Sequence, residues 1–150
     1  MKLSEKSHRK IESFFRDFLD NDDFILPEVE FYGGKFTQFL TTKLNIEGIT
    51  IGKRIFIFPA QFWRSKSKLL RLSEELVVHE IAHVLQYRRE GFVKFLYKYL
   101  GDYWRNLRKL KKWDGFSRHL AYLEIPFEAE AREITRKYLK WTLKDETPSS

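Results

Sequence analysis

Residues 74–90 read EELVVHEIAHVLQYRRE, and this stretch constrains the fold more than any other. Leu76, Val77, Val78, Ile81, Ala82, Val84 and Leu85 make it apolar on nearly every side, so as a helix it has to be buried almost all round. His79, Glu80 and His83 go inside with it, and buried polar groups need partners. Ser73 is placed to cap the N-terminus, Glu74 and Glu75 suit the positive end of the helix dipole, and Gly91 is placed to end the helix just after Arg89.

The flanking elements follow from similar signals. Residues 4–19 predict an amphipathic helix with Ile11, Phe14, Phe15, Phe18 and Leu19 on one side, broken by Asn21-Asp22-Asp23. Residues 28–31 alternate as a strand, Gly33-Gly34 reads as a turn, and 36–44 fits a strand or a short helix. Ile49-Thr50-Ile51 and residues 54–58 flank Gly52-Lys53 as a hairpin, stopped by Pro59. Beyond Gly91, residues 92–100 form a short aromatic segment, and Trp104, Leu107, Leu110 and Trp113 mark a further apolar stripe. A last helix starts near Pro126 and turns Phe127, Ala131, Ile134, Tyr138 and Trp141 inward. The expected class is α+β: an N-terminal helix and a small antiparallel or mixed sheet, then the histidine helix and a C-terminal glutamate helix. Residues 1–144 are expected to form one domain and 145–150 a disordered tail.

Composition narrows the chemistry. The chain has no cysteine, so disulfides and thiolate metal sites are excluded, and any metal must be held by His, Asp or Glu. Hydrophobic residues are 43% and aromatic residues 17% of the sequence, which is globular rather than disordered and points to a core or cleft rich in rings. No apolar run approaches the roughly 20 residues of a membrane span, and the first residues, MKLSEK, lack the apolar stretch of a secretory signal. A cytoplasmic protein is therefore expected. The net charge of +7 favours acidic partners without identifying one.

His79-Glu80-Ile81-Ala82-His83 carries the chemistry. Positions four apart on a helix lie about 40° apart around its axis, one turn along, so both imidazoles can face one ion. Glu80 can then reach a water beside that ion without being a ligand. Zinc suits such a site because it takes imidazole and carboxylate ligands and keeps an open position when catalytic. A neighbouring carboxylate can remove the proton of an attacking water and return it to the leaving amine. On the wheel of the last helix, Glu128 and Glu130 flank the apolar stripe on opposite sides, and either can face a metal at the edge of the core.

The run from Leu76 to Tyr87 resembles the active-site helix of gluzincin metallopeptidases, above all their smallest members and the related eCIS-core-type domains, in which the second His is often followed by V-x-Q. The likeness is taken to span 49–135. It implies a zinc-dependent endopeptidase with His79 and His83 as ligands and Glu80 as general base and acid. Gluzincins take a third ligand from a Glu in an E-x-x-A context on a later helix, which selects Glu128, with Ala131 three residues on. Larger gluzincins carry Asp four residues after that Glu; this chain has Arg132, so the partners that orient the histidines are unassigned. A metzincin is excluded, because Gln86 and Arg89 stand where its Gly and third His would be. His119 is a rival ligand, Glu124 a rival carboxylate, and Tyr122 a candidate oxyanion donor.

The implied partner is a peptide or protein substrate, with the 49–58 hairpin as an edge that extended substrate could join. An oligomer, or a terminal segment lying in the cleft, would explain latency in so small a peptidase. Two alternatives stand beside this reading. One is a catalytically silent zinc module displayed on or delivered by a larger assembly. The other is a nucleic-acid-binding protein using Arg105, Arg108, Lys109, Lys111 and Lys112 around Trp104 and Trp113. The same basic segment also fits an interfacial helix on anionic lipid, and a simply solvated face is the preferred account of it.

Overall fold

The computed structural model describes residues 4–32, 48–51, 54–57 and 73–145. Helix α1 (Glu5–Leu19) begins where the Ser4 hydroxyl accepts from the Ser7 amide and ends at Asp20, whose left-handed backbone closes the last turn. Ile11, Phe14 and Phe15 are buried on it, whereas Leu19 is exposed rather than joining the apolar side. Strands β1 (Glu30–Tyr32), β2 (Gly48–Ile51) and β3 (Arg54–Ile57) form a mixed sheet in the order β1-β3-β2. β1 runs parallel to β3 and β2 antiparallel to it, with Thr50 opposite Ile55.

Four helices follow among the described residues. α2 (Glu74–Glu90) is capped by Ser73, whose hydroxyl accepts from the Leu76 amide, and stops at Gly91 with φ 80°. Only glycine takes that backbone angle without strain. α3 (Phe92–Leu110) is one continuous helix of 19 residues. It replaces the two separate segments expected there, and left-handed Lys111 ends it before Trp113. α4 (Gly115–Leu123) was not anticipated; its signal is Asp114, whose carboxylate accepts from the Ser117 amide as N-cap. α5 (Pro126–Asp145) starts at the proline, as expected.

The α+β, gluzincin-like architecture is corrected by these elements. The class is all-α: helices of 15, 17, 19, 9 and 20 residues carry the described chain, against strands of three, four and four. Strands this short offer few cross-strand pairs. The antiparallel pairing of 48–51 with 54–57 is present, and the described residues of the larger core cluster lie on α1, α2, α5 and the connection after α1. Gly33-Gly34, residues 36–44, Gly52-Lys53, Phe58, Pro59 and the tail residues 146–150 lie outside the described residues.

The core sits around α2. Val77, Val78, Ile81, Ala82 and Val84 meet Ile11, Phe14 and Phe15 of α1. Phe24, Leu26 and Val29 of the following connection join them, as do Ala131, Ile134 and Tyr138 of α5. The Tyr138 hydroxyl donates to Glu74 at 2.6 Å and the Trp141 indole to Asp17 at 2.7 Å, so α5 is tied to α2 and α1. A second cluster of Phe95, Ile125 and Phe127, lined by Tyr87, Tyr99, Tyr103 and Tyr122, joins α3, α4 and α5 beside the first.

Because α2 is enclosed, trimming its inward side chains should cost more than removing its cap. Ile81→Ala is expected to lower unfolding free energy by about 2–5 kcal/mol, and Ser73→Ala by about 1 kcal/mol. Urea denaturation checks this. A smaller loss at Ile81 than at Ser73 would contradict the placement of α2 at the centre.

Candidate metal centre

α2 delivers two imidazoles to one point. The rings of His79 and His83 lie 4.9 Å apart at 87°. His79 Nε2 is 3.2 Å from Glu128 Oε2, and His83 Nε2 is 3.2 Å from Glu128 Oε1. Glu128 reaches them from the first turn of α5, which packs along α2. Of the two carboxylates flanking the α5 stripe, Glu128 therefore faces the histidines. Glu130 turns the other way and accepts from Arg89 at 2.7 and 3.0 Å.

The donor set fits a metal ion. The candidate ligand atoms of His79, His83 and Glu128 all lie within 4.8 Å of one another, close enough for one ion. Ligands about 2.0–2.1 Å from a tetrahedral zinc stand about 3.3–3.4 Å apart. The two contacts of 3.2 Å are close to that edge length. They are longer than the roughly 2.7–2.9 Å of a direct imidazolium–carboxylate hydrogen bond.

Gln86 supplies the orienting contact that the sequence left unassigned. Its amide nitrogen donates to the Phe127 carbonyl at 2.9 Å and to Glu130 Oε2 at 3.0 Å. Both are pure acceptors, so the amide oxygen is the end that faces His83 Nδ1, at 2.8 Å. An oxygen there can only accept. His83 thus keeps its proton on Nδ1 and leaves Nε2 as the atom that could bind a metal. The sequence signal was present as Gln three residues after His83, on the same helix face. Arg132 does not take this role, since its guanidinium donates to the Leu123 carbonyl instead.

Two tyrosines complete the surroundings of Glu128. Tyr99 on α3 donates to Oε1 and Tyr122 on α4 donates to Oε2, each at 2.7 Å. Tyr122 is therefore in the site, as a partner of the glutamate. Tyr99 was missed, because 29 residues and a different helix separate it from Glu128. Glu80 is buried at 3% exposure, close enough for its charge to act on His83, Tyr99 and Tyr122. His119 is exposed, its ring stacked on Tyr122, and Glu124 is exposed; neither joins the cluster.

The charges hold one another. Burial opposes ionisation of His83, but the adjacent Glu128 and nearby Glu80 raise its pKa to about 9. Burial likewise opposes ionisation of Glu128, but His83 and His79 bring it well below the usual carboxylate range. Burial, and then the charge of Glu128, push Tyr99 and Tyr122 far up, so both stay neutral donors.

A raised histidine pKa stabilises the fold fully below its unfolded value and loses that contribution as pH rises through the folded value. For His83 the window runs from 6.5 to about 9. Glu128 works the other way, its contribution present above 4.5 and lost in acid. Metal-stripped protein should accordingly lose thermal stability between about pH 6.5 and 9, and His83→Asn should flatten that slope in calorimetric melts. A second expectation concerns Gln86. Gln86→Leu should weaken zinc binding about 10- to 100-fold in a chelator competition, and wild-type affinity in that variant would show that the amide does not orient His83.

Comparison with known families adds one match. A family model, the eCIS core domain, covers residues 5–91, more than half of the chain. The match includes α1, the described strands and α2 with both histidines and Gln86, and ends before Glu128. It begins well before the expected span of 49–135. No curated protein and no solved structure matches the chain.

Proposed function

The chain belongs to the eCIS core domain family, and from that membership together with its His79–His83–Glu128 cluster we propose that it is a zinc-dependent metallopeptidase. The observation that carries the proposal is the convergence of both histidine Nε2 atoms on one buried carboxylate, with Glu80 on the same helix. Zinc bound there would act as a Lewis acid and lower the pKa of water from 15.7 to about 7.

The protein's own groups would then divide the work. His79, His83 and Glu128 hold the ion, and Gln86 fixes which nitrogen His83 offers. Glu80 accepts the proton of the attacking water and passes it to the departing amine. Tyr99 and Tyr122, neutral and hydrogen-bonded to Glu128, keep that ligand's lone pairs directed and its charge in place. Burial of Glu80 and His83 keeps bulk water from competing for the proton. Among the described residues β2 is paired on one side only and contacts α2, so an extended peptide could add to it as a further strand.

The burial of Glu80 and Glu128, at 3% and 2% exposure, also favours a second reading: a zinc-holding module that is catalytically silent and serves as a binding or cargo unit. Glu80→Gln separates the two. For a peptidase, casein or peptide-library hydrolysis should fall about 10²- to 10⁴-fold while zinc content stays at one per chain. Hydrolysis should also stop on chelation and return with zinc. Wild-type protein as inert as Glu80→Gln, both zinc-loaded, would leave the silent module. A preparation that takes up no zinc, or takes up as much after His79→Ala and His83→Ala, would end both readings.

A further inference from the structure

α3 has three faces, and the inward one alone is used by the metal centre. Phe95, Tyr99 and Asn106 point inward, with Tyr99 on Glu128 and Asn106 donating to the Ala121 carbonyl. At 100° per residue, Val93, Leu96, Tyr97, Leu100 and Trp104 fall within an arc of about 100° beside that face. All five are exposed, Val93 at 79% and Tyr97 at 81%; Leu107, further along the same arc, is buried, so the outward apolar surface of α3 ends at Trp104. Lys94, Lys98, Arg105, Arg108 and Lys109 occupy the next arc of about 100°. Trp113 lies 5.5 Å from Trp104, ring to ring, and extends the apolar surface past the end of α3; Phe116, 72% exposed, follows it three residues on.

We infer that this outward face of α3, with Trp113 and Phe116, docks on the surface of an anionic lipid bilayer. Exposed aliphatic side chains of this number are unusual on a charged domain and mark an interaction surface. A helix lying in a bilayer interface carries one apolar arc, a basic arc beside it, and tryptophan or tyrosine at headgroup depth. α3 has each of these. The charge balance agrees. Glu90 pairs with Lys94 and Lys98, and Asp102 with Arg105. Arg108, Lys109, Lys111 and Arg118 have no ion-pair partner among the described residues, and each is exposed. Gly101, Trp104, Arg105, Arg108 and Lys109 line an open depression where the two arcs meet. A nucleic acid would use the cations and the tryptophans, but Val93, Leu96 and Leu100 offer nothing to a phosphodiester backbone.

Flotation of the full-length protein with vesicles tests this. Phosphatidylcholine alone is compared with phosphatidylcholine and phosphatidylserine at about 7:3. The protein should float with the anionic vesicles, bind the neutral ones about tenfold more weakly or less, and detach as salt rises. Leu96→Ser with Leu100→Ser, and separately Arg105→Glu with Arg108→Glu, should each reduce partitioning about tenfold or more. Both pairs are solvent-exposed, and unchanged zinc uptake and circular dichroism would verify that the fold is intact. The inference fails if no anionic vesicle is bound at low salt. It also fails if only the charge reversals matter and a DNA duplex competes the protein away, or if the two leucine changes dissolve a dimer and leave vesicle binding untouched.

Discussion

One buried carboxylate organises this domain. Glu128 sits in the interior with both oxygens occupied: Oε1 by Tyr99 and His83, Oε2 by Tyr122 and His79. Taking a carboxylate out of water costs several kcal/mol unless charge and hydrogen bonds offset it, and here four groups from three helices do so. α2 brings the histidines, α3 and α4 bring a tyrosine each, and α5 brings the glutamate. The mutual position of these four helices is thus written in the contacts of a single side chain. The aromatic cluster of Phe95, Ile125 and Phe127 fills the space beside it and keeps water away.

The second polar thread runs from Arg89 through Glu130 and Gln86 to His83. It crosses from α2 to α5 and back, on the side of the histidine away from Glu128. Each member is fixed by the next: Arg89 makes two bonds to Glu130, Glu130 accepts from the Gln86 amide, and the amide oxygen is thereby aimed at His83 Nδ1. A partly satisfied network in this position would be worse than an apolar one. A fully satisfied one sets the tautomer of His83. This explains why a helix apolar on almost every side carries a buried glutamine.

α3 joins this interior to the outer surface. Tyr99 holds Glu128, while Leu96 and Leu100, one turn or less away, face solvent beside a row of cations. A helix amphipathic in two directions, inward to the rings and outward to an apolar arc, has more apolar surface than the fold needs for burial. That surplus distinguishes it from α1, whose large buried residues all serve one core.

The sequence alone determined the elements that depend on local chemistry. Ser73, Gly91 and Pro126 fixed where α2 and α5 begin or end, because capping and backbone angle are decided within a few residues. The i, i+4 spacing of His79 and His83 put both imidazoles on one helix face, one turn apart, so that they could meet. The strand pattern on either side of Gly52-Lys53 was legible too, but periodicity reports a local conformation and not the class of the whole, which the five described helices set. The helical wheel left Glu128 and Glu130 open and the family resemblance selected Glu128; the physical reason for the choice belongs to tertiary structure. They flank the same apolar stripe, and only the packing of α5 against α2 turns one to the histidines and the other to Arg89. Tyr99 and the role of Gln86 were likewise decided by which helix lies next to which, a contact between distant residues that no local pattern encodes.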